Sequence, residues 1–265
     1  MYIFICEDSL DGIFTGVYDA WASRYGHQNV ALLAHEPENY MLFCEYVRVR
    51  TDFSKSEKVA RTLRRRLGEE TYGELCQAAL AQENSRAGKY AMNKADAIYK
   101  TIVLALSMKD GSKVLQCLGE PYVSRTFRLS RSMGNEAHHL LGFLRFCELE
   151  NGILFARISP KNHVLAFLGE HFADRLPEEN FMIYDDVHHQ AALHPSGKGF
   201  FLTDTQGLDL EKLKCLSPQE AEYQNLWKGF LGSIAVEARE NRKLQSKNLP
   251  KRFWKNMVEH EAGLL

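Results

Sequence analysis

Asn151-Gly152 sits between two apolar runs, GFLRFCEL before it and ILFARIS after it. Asn-Gly between strand-like runs is the strongest short-range hairpin signal, because both residues tolerate the positive φ of a tight turn. The spacing therefore commits the middle of the chain to a hairpin. Three more strand candidates follow: NFMIYD, HHQAALH and GKGFFLTD, with Pro195-Ser196-Gly197 turning the chain between the last two. The expected product is an antiparallel sheet.

Helical patterns surround it. Ser159-Pro160 reads as a helix start over KNHVLAFLGEHFADR, with Pro at the first helical position. Ser217-Pro218-Gln219-Glu220 combines a capping box with Pro at that position. The stripe that follows it (Tyr223, Leu226, Trp227, Phe230, Leu231, Ile234, Ala235 and Ala238) reads as a core-facing helix side. Upstream, YIFIC, NVALLA and MLFCEYVRVR read as strands, and GIFTGVYDAWASRY as a helix. Ser54 and Glu57 have capping-box spacing ahead of KVARTLRRRLG, and a further helix is expected from about residue 87. The sum is one α+β protein. A strand-helix part leads into a helix-backed antiparallel sheet, closed by a long C-terminal helix. The candidate sub-boundary is the loop at 107–113, SMKDGSK.

The chain has 265 residues and a formal net charge of −1, so no global basic field draws in nucleic acid. The six cysteines stand at least thirty residues apart, without a C-x-x-C pair, so zinc-ribbon and iron–sulfur spacings are missing. They read as small buried hydrophobes in a reducing cytoplasm. MYIFICEDS lacks the basic start of a signal peptide, and no apolar run approaches the ~20 residues of a membrane span. G-x-G-x-x-G, P-loop, H-E-x-x-H and G-x-S-x-G motifs are missing, so no cofactor is expected.

Local clusters remain. On a helix over 123–141, Arg128, Arg131, Asn135, His138 and His139 gather on one side and apolar residues on the other, with Glu136 at the border. Arginines suit phosphates, and Asn or His can bond a base or backbone oxygen. Glu136 with His138 or His139 is also a candidate acid–base set for a nucleic-acid- or nucleotide-processing enzyme. Asp185, Asp186, His188, His189 and His194 are metal-ligand types, but strand alternation divides them between faces, so no metal site is expected. Residues 239–255 hold Arg239, Arg242, Lys243, Lys247, Lys251, Arg252 and Lys255 against Glu240 alone, an excess of six positive charges. Phe253 and Trp254 lie among them. Such a segment suits single-stranded nucleic acid, with bases stacking on rings. Burying even one ring is worth roughly 1.5–3 kcal/mol, so at least one ring should dock the segment on the body.

The segments NEAHHLLGFLRF, HFADRLP before FMIYDD, and LWKGFLGSIAVEARENRKLQSKNLPKRFWKNM, with the opening YIFICEDSLDGIFTGVYDAW, resemble a bacterial family known as probable DNA metabolism proteins. The resemblance runs nearly end to end. It implies DNA transactions and a partner, a radical SAM DNA modification or repair protein. It supplies no catalytic residues. Any radical or glycosylase chemistry would belong to a partner, since this chain carries no cluster-binding cysteine set. The leading expectation is an accessory protein that binds DNA, through Arg128, Arg131, Asn135 and the residues Arg242, Lys243, Lys247, Lys251, Arg252, Trp254 and Lys255. A protein–protein adaptor without nucleic-acid contact is the third reading.

Overall fold

The structure, a computed structural model, describes residues 1–83, 92–207, 213, 215–236 and 239–259. It forms two compact units, Met1–Asn135 and Glu136–Leu265. The loop at 107–113 lies inside the first.

The first unit is built on a parallel sheet in the order β2-β1-β3, with β1 Tyr2–Ile5, β2 Val30–Leu33 and β3 Glu45–Arg48. Consecutive Ile3 and Phe4 of the central strand are both buried, as expected of a strand covered on both faces. Helix α1, Leu10–Ala22, starts on Ser9, whose Oγ accepts the Gly12 N–H at 3.0 Å. A side chain at Gly12 would place its Cβ 2.4 Å from the Glu7 carbonyl oxygen, so only glycine fits there.

Helix α2, Phe53–Leu67, is capped by Asp52 rather than Ser54. The Asp52 N–H donates to Thr15 Oγ1 at 3.1 Å, which sets the chain for helix entry two residues earlier. Asp52 Oδ1 then accepts from the Ser54 and Lys55 amides, and Glu57 pairs with Arg61 one turn on. Gly68, at φ +85°, turns the chain into α3, Glu69–Leu80, a helix the sequence reading passed over. The helix expected from about residue 87 is described from α4, Lys94–Ser107; its expected start at 87–91 lies outside the described residues. Ala95, Ile98, Tyr99 and Ile102 of α4 are buried as the period demands. Lys94 is buried too. Its Nζ pairs with Asp8 and donates to the carbonyls of Ala79 (3.0 Å) and Ala81 (2.7 Å), which offsets the cost of a dry charge.

Helix α5, Pro121–Phe143, runs through the division between the units. In the second unit a five-stranded sheet follows the order β4-β5-β6-β7-β8: Cys147–Glu148, Leu154–Ile158, Phe181–Asp185, Gln190–His194 and Phe201–Asp204. The β4–β5 hairpin turns at Asn151-Gly152, with Gly152 at φ +77° and Asn151 Oδ1 accepting from Ile153 N at 3.2 Å. The sheet is mixed rather than wholly antiparallel. β5 and β6 are parallel because α6, Leu165–Arg175, carries the chain back to the starting edge of β5. α6 opens five residues after Pro160, not at it. The Lys161 and Asn162 amides, which would have belonged to an earlier first turn, donate instead to Glu136 Oε2.

Helix α7, Pro218–Ile234, starts as expected, with Ser217 Oγ accepting from Glu220 N at 3.1 Å. Only half of the capping box forms, because Glu220 Oε2 accepts the Glu148 N–H and Ser217 N donates to the Glu148 carbonyl. The stripe expected to be core is exposed: Tyr223, Leu226, Phe230 and Ile234 all exceed half of full accessibility, and Trp227 is 41% accessible, while Ala238 lies outside the described residues. α7 is tied to the sheet edge through its first turn, and none of its residues is buried. Helix α8, Arg242–Asn248, and a 3-10 turn, Lys251–Asn256, follow. No helix among the described residues is long and apolar enough to cross a membrane.

Candidate functional site

The richest polar cluster of the second unit lies at the carboxyl ends of the parallel strands β5 and β6, where α/β sheets commonly carry their sites. β5 delivers Arg157 and, just beyond its end, Ser159; β6 delivers Asp185 and Asp186. The C-terminal 3-10 turn lies against β5 and closes the cluster.

Four side chains hold that turn. Phe253 is 5% exposed; its ring meets His139 edge-on at 5.9 Å and Phe143 at 5.4 Å. Arg252 reaches the carboxylate of buried Glu136 at 3.1 Å. Lys255 stands 3.5 Å from Asp186 Oδ2, which Arg157 also grips at 2.9 Å through Nε and Nη2. Asn256 adds a bond to Ser159 Oγ at 3.3 Å. Burial pushes the Asp186 carboxyl up, but a bond from Ser159 and the charges of Lys255 and Arg157 outweigh it, and the group ends below the usual carboxylate range. Arg145 and Glu259, at 2.8 Å, tie the end of the described tail to the segment between α5 and β4.

This geometry reassigns the acid–base candidates. Glu136 Oε2 accepts from Lys161 N, Asn162 N and Asn162 Nδ2 at 2.7–3.0 Å, and Oε1 faces Arg252. A carboxylate with that many donors is committed to organising the β5–α6 loop and the tail. His138 is exposed, and His139 turns inward, stacked on Phe143 at 5.7 Å. Among the described residues no hydrogen bond joins Glu136 to either histidine.

The metal-type residues divide as well, though by another route than strand alternation. Asp185 caps the β6–β7 turn, accepting from the Val187 and His188 amides and lying 2.6 Å from His188 Nδ1. His188 packs against His163, the rings tilted by 36° with centres 3.9 Å apart. Asp186 belongs to the tail contacts. His189 occupies the turn at φ +55°, and His194 bonds the Glu179 carbonyl at 2.8 Å beneath Phe181. Among the described residues, no group of three or more His, Cys, Asp and Glu is placed to hold one ion.

The basic residues fall into two sets. Arg128, Arg131 and Asn135 are exposed on α5. Arg131 and Asn135 line a groove of about 410 Å³ in the first unit, whose opposite wall is Glu69, Glu70 and Glu74 of α3. Burial and repulsion from Glu70 push the Glu74 carboxyl up while Arg131 pulls it down, so Arg131 already serves an acidic neighbourhood. Phosphate would meet carboxylates there. In the tail, Arg242 pairs with Glu240 at 2.8 Å, and Arg252 and Lys255 are spent on Glu136 and Asp186. Arg239, Lys243, Lys247 and Lys251 are exposed and form no ion pair with a described carboxylate. Lys251 lies 5.8 Å over the Trp254 ring, whose Nε1–H donates to the Leu249 carbonyl at 3.0 Å.

The sequence reading missed Ser159 and Asp186 as the dock for the tail, and Arg157 and Asn162 as the residues that hold Asp186 and Glu136. Nothing local announces pairings across 25 to 97 positions.

Residues 92–259 match the model of a family described as a domain of unknown function, DUF4130, and the chain belongs to that family. The matched region includes the whole polar cluster and the docked tail. No curated protein matches the chain. One solved structure that it resembles is titled as the DHH domain of a member of a family of ribosomal proteins. The two are 10% identical over 74% of this chain and 73% of that one, with a TM-score of 0.28, a likeness too slight to carry any argument.

Proposed function

We propose that this protein is a DNA-associated accessory that holds nucleic acid on the exposed row Lys243, Lys247 and Lys251, beside the half-buried Trp254, and serves a radical SAM DNA modification or repair partner. The observation that carries the reading is the division of charge in the tail. Arg252 and Lys255 are consumed in docking it, and three lysines at four-residue spacing remain in solvent without carboxylate partners among the described residues. On α8 that spacing keeps Lys243 and Lys247 on one face, and Lys251 opens the 3-10 turn that follows, beside the Trp254 ring. Unpaired ammonium groups bind phosphate by releasing counterions, so the row favours any polyanion and reads no sequence by itself. The exposed part of the Trp254 ring offers a base a stacking surface, which favours single strands.

The test is binding of fluorescent single- and double-stranded oligonucleotides to the purified protein across a salt series. Salt-sensitive binding, tighter for single strands, supports the reading. Absence of binding at low salt overturns it and leaves an adaptor that meets an acidic protein. The partner is tested separately, by co-purification with the radical SAM protein in nuclease-treated extracts.

A further inference from the structure

We infer that α7 is a dimerisation helix, and that the occupant of its exposed apolar stripe is the α7 of a second copy of this chain, running antiparallel. The stripe is Tyr223, Leu226, Trp227, Phe230, Leu231 and Ile234. Five of these are 41–66% exposed and Leu231 is half-buried, so the face is dressed as core but no described residue covers it.

The second copy is chosen on three grounds. The first is charge. Between Tyr223 and Val236 the only ionisable side chains are Tyr223 itself and Lys228, and Lys228 projects away from the stripe. An acidic or basic partner would leave its charges unpaired here, whereas interface cores are depleted in charge and rich in Tyr, Trp and Phe. The second is self-complementarity. Turning the helix about a twofold axis between Lys228 and Gly229 sets Tyr223 against Ile234, Leu226 against Leu231, and Trp227 against Phe230, each pair made twice. That is the isologous arrangement of a symmetric dimer. The third is area. At these exposures each of the five side chains offers roughly 100 Å². That gives about 500 Å² per copy and about 1,000 Å² in all, the lower limit for a specific interface and the range of a reversible dimer. Val236 and Leu244, both more than half exposed, extend the patch.

Sedimentation of the full chain over a concentration series should show a monomer–dimer equilibrium. Trp227→Glu and Phe230→Lys should each weaken it at least about thirty-fold, the scale of an interface hot spot. Mixing the two variants should restore dimers, because the new carboxylate and ammonium face each other only in the antiparallel register. A wild-type chain that stays monomeric throughout overturns the inference, without depending on any variant folding. Dimers that survive both substitutions, or variants that fail to recover on mixing while retaining the wild-type circular dichroism spectrum, overturn it equally.

Discussion

Replacing Phe253 with Ala should release the C-terminal turn from the second unit. The ring is 5% exposed, so its transfer from water contributes about 1.5–3 kcal/mol. It also meets Phe143 and His139, each aromatic contact adding about 0.5–1.5 kcal/mol. The Arg252 guanidinium lies 4.6 Å from its centre, a cation–π contact of about 0.5–1 kcal/mol at an accessible site. These overlap and partly recover as the tail relaxes, so we expect a net loss of about 3 kcal/mol in docking. That raises the open population of the turn by a factor of about 100. The assay is native-state hydrogen exchange at the Phe253 and Met257 amides, which bond the Pro250 and Trp254 carbonyls inside the turn. Both should exchange about 100-fold faster in the variant, while amides of β6 keep their wild-type rates. Unchanged protection at 253 and 257 would refute the docking argument.

Other outcomes follow from the same contacts. Glu136→Gln keeps one acceptor for the Lys161 and Asn162 donors but leaves Arg252 without its anion. Because Arg252 is partly exposed, the cost should be about 1–2 kcal/mol in urea unfolding, and an unchanged midpoint would contradict the role given to Glu136. The Asp186 carboxyl is held below the usual range, so its contribution to tail docking is fully present above about pH 4 and lost as pH falls through its lower folded value. Trp254 fluorescence should report an acid release that is missing in Asp186→Asn, and identical acid profiles would contradict it. Burial pushes the Cys6 and Cys147 thiols up to about 12 and Cys76 up to about 11, whereas Cys215 is exposed. A thiol reagent at pH 8 should modify Cys215 first and reach the buried three only after denaturation; prompt modification of Cys147 would contradict the packing of β4.

Local signals in the sequence were read correctly where the physics is local. Asn151-Gly152 needs no distant partner to turn the chain, and Ser217-Pro218 starts a helix from its own chemistry. Helical period alone places Arg128, Arg131, Asn135 and His138 of 123–141 in solvent, but His139, expected with them, turns inward onto Phe143 and Phe253. Readings failed where a distant residue intervened. Thr15 selects Asp52 as the α2 cap, and Glu136 claims the amides that would have begun a helix at Pro160. The basic cluster of the tail was visible as composition, and docking by one ring was a sound inference from hydrophobicity. Which cations would be neutralised was not visible, since Glu136 and Asp186 lie more than a hundred and about seventy positions from their partners. The apolar stripe of α7 was legible as a surface that needs cover; its cover is not within the described chain.

The central claim is that the row Lys243, Lys247 and Lys251 meets phosphate. The direct measurement is the salt dependence of single-stranded oligonucleotide affinity for the wild-type chain and for the variant with all three replaced by Ala. These side chains are exposed and outside the docking contacts, so folding and tail protection should be unchanged. Each lost phosphate contact removes about 0.7 from the log–log slope on single strands, so the slope should fall by about 2 and affinity should drop at low salt. A variant that binds with the wild-type affinity and slope would contradict the claim.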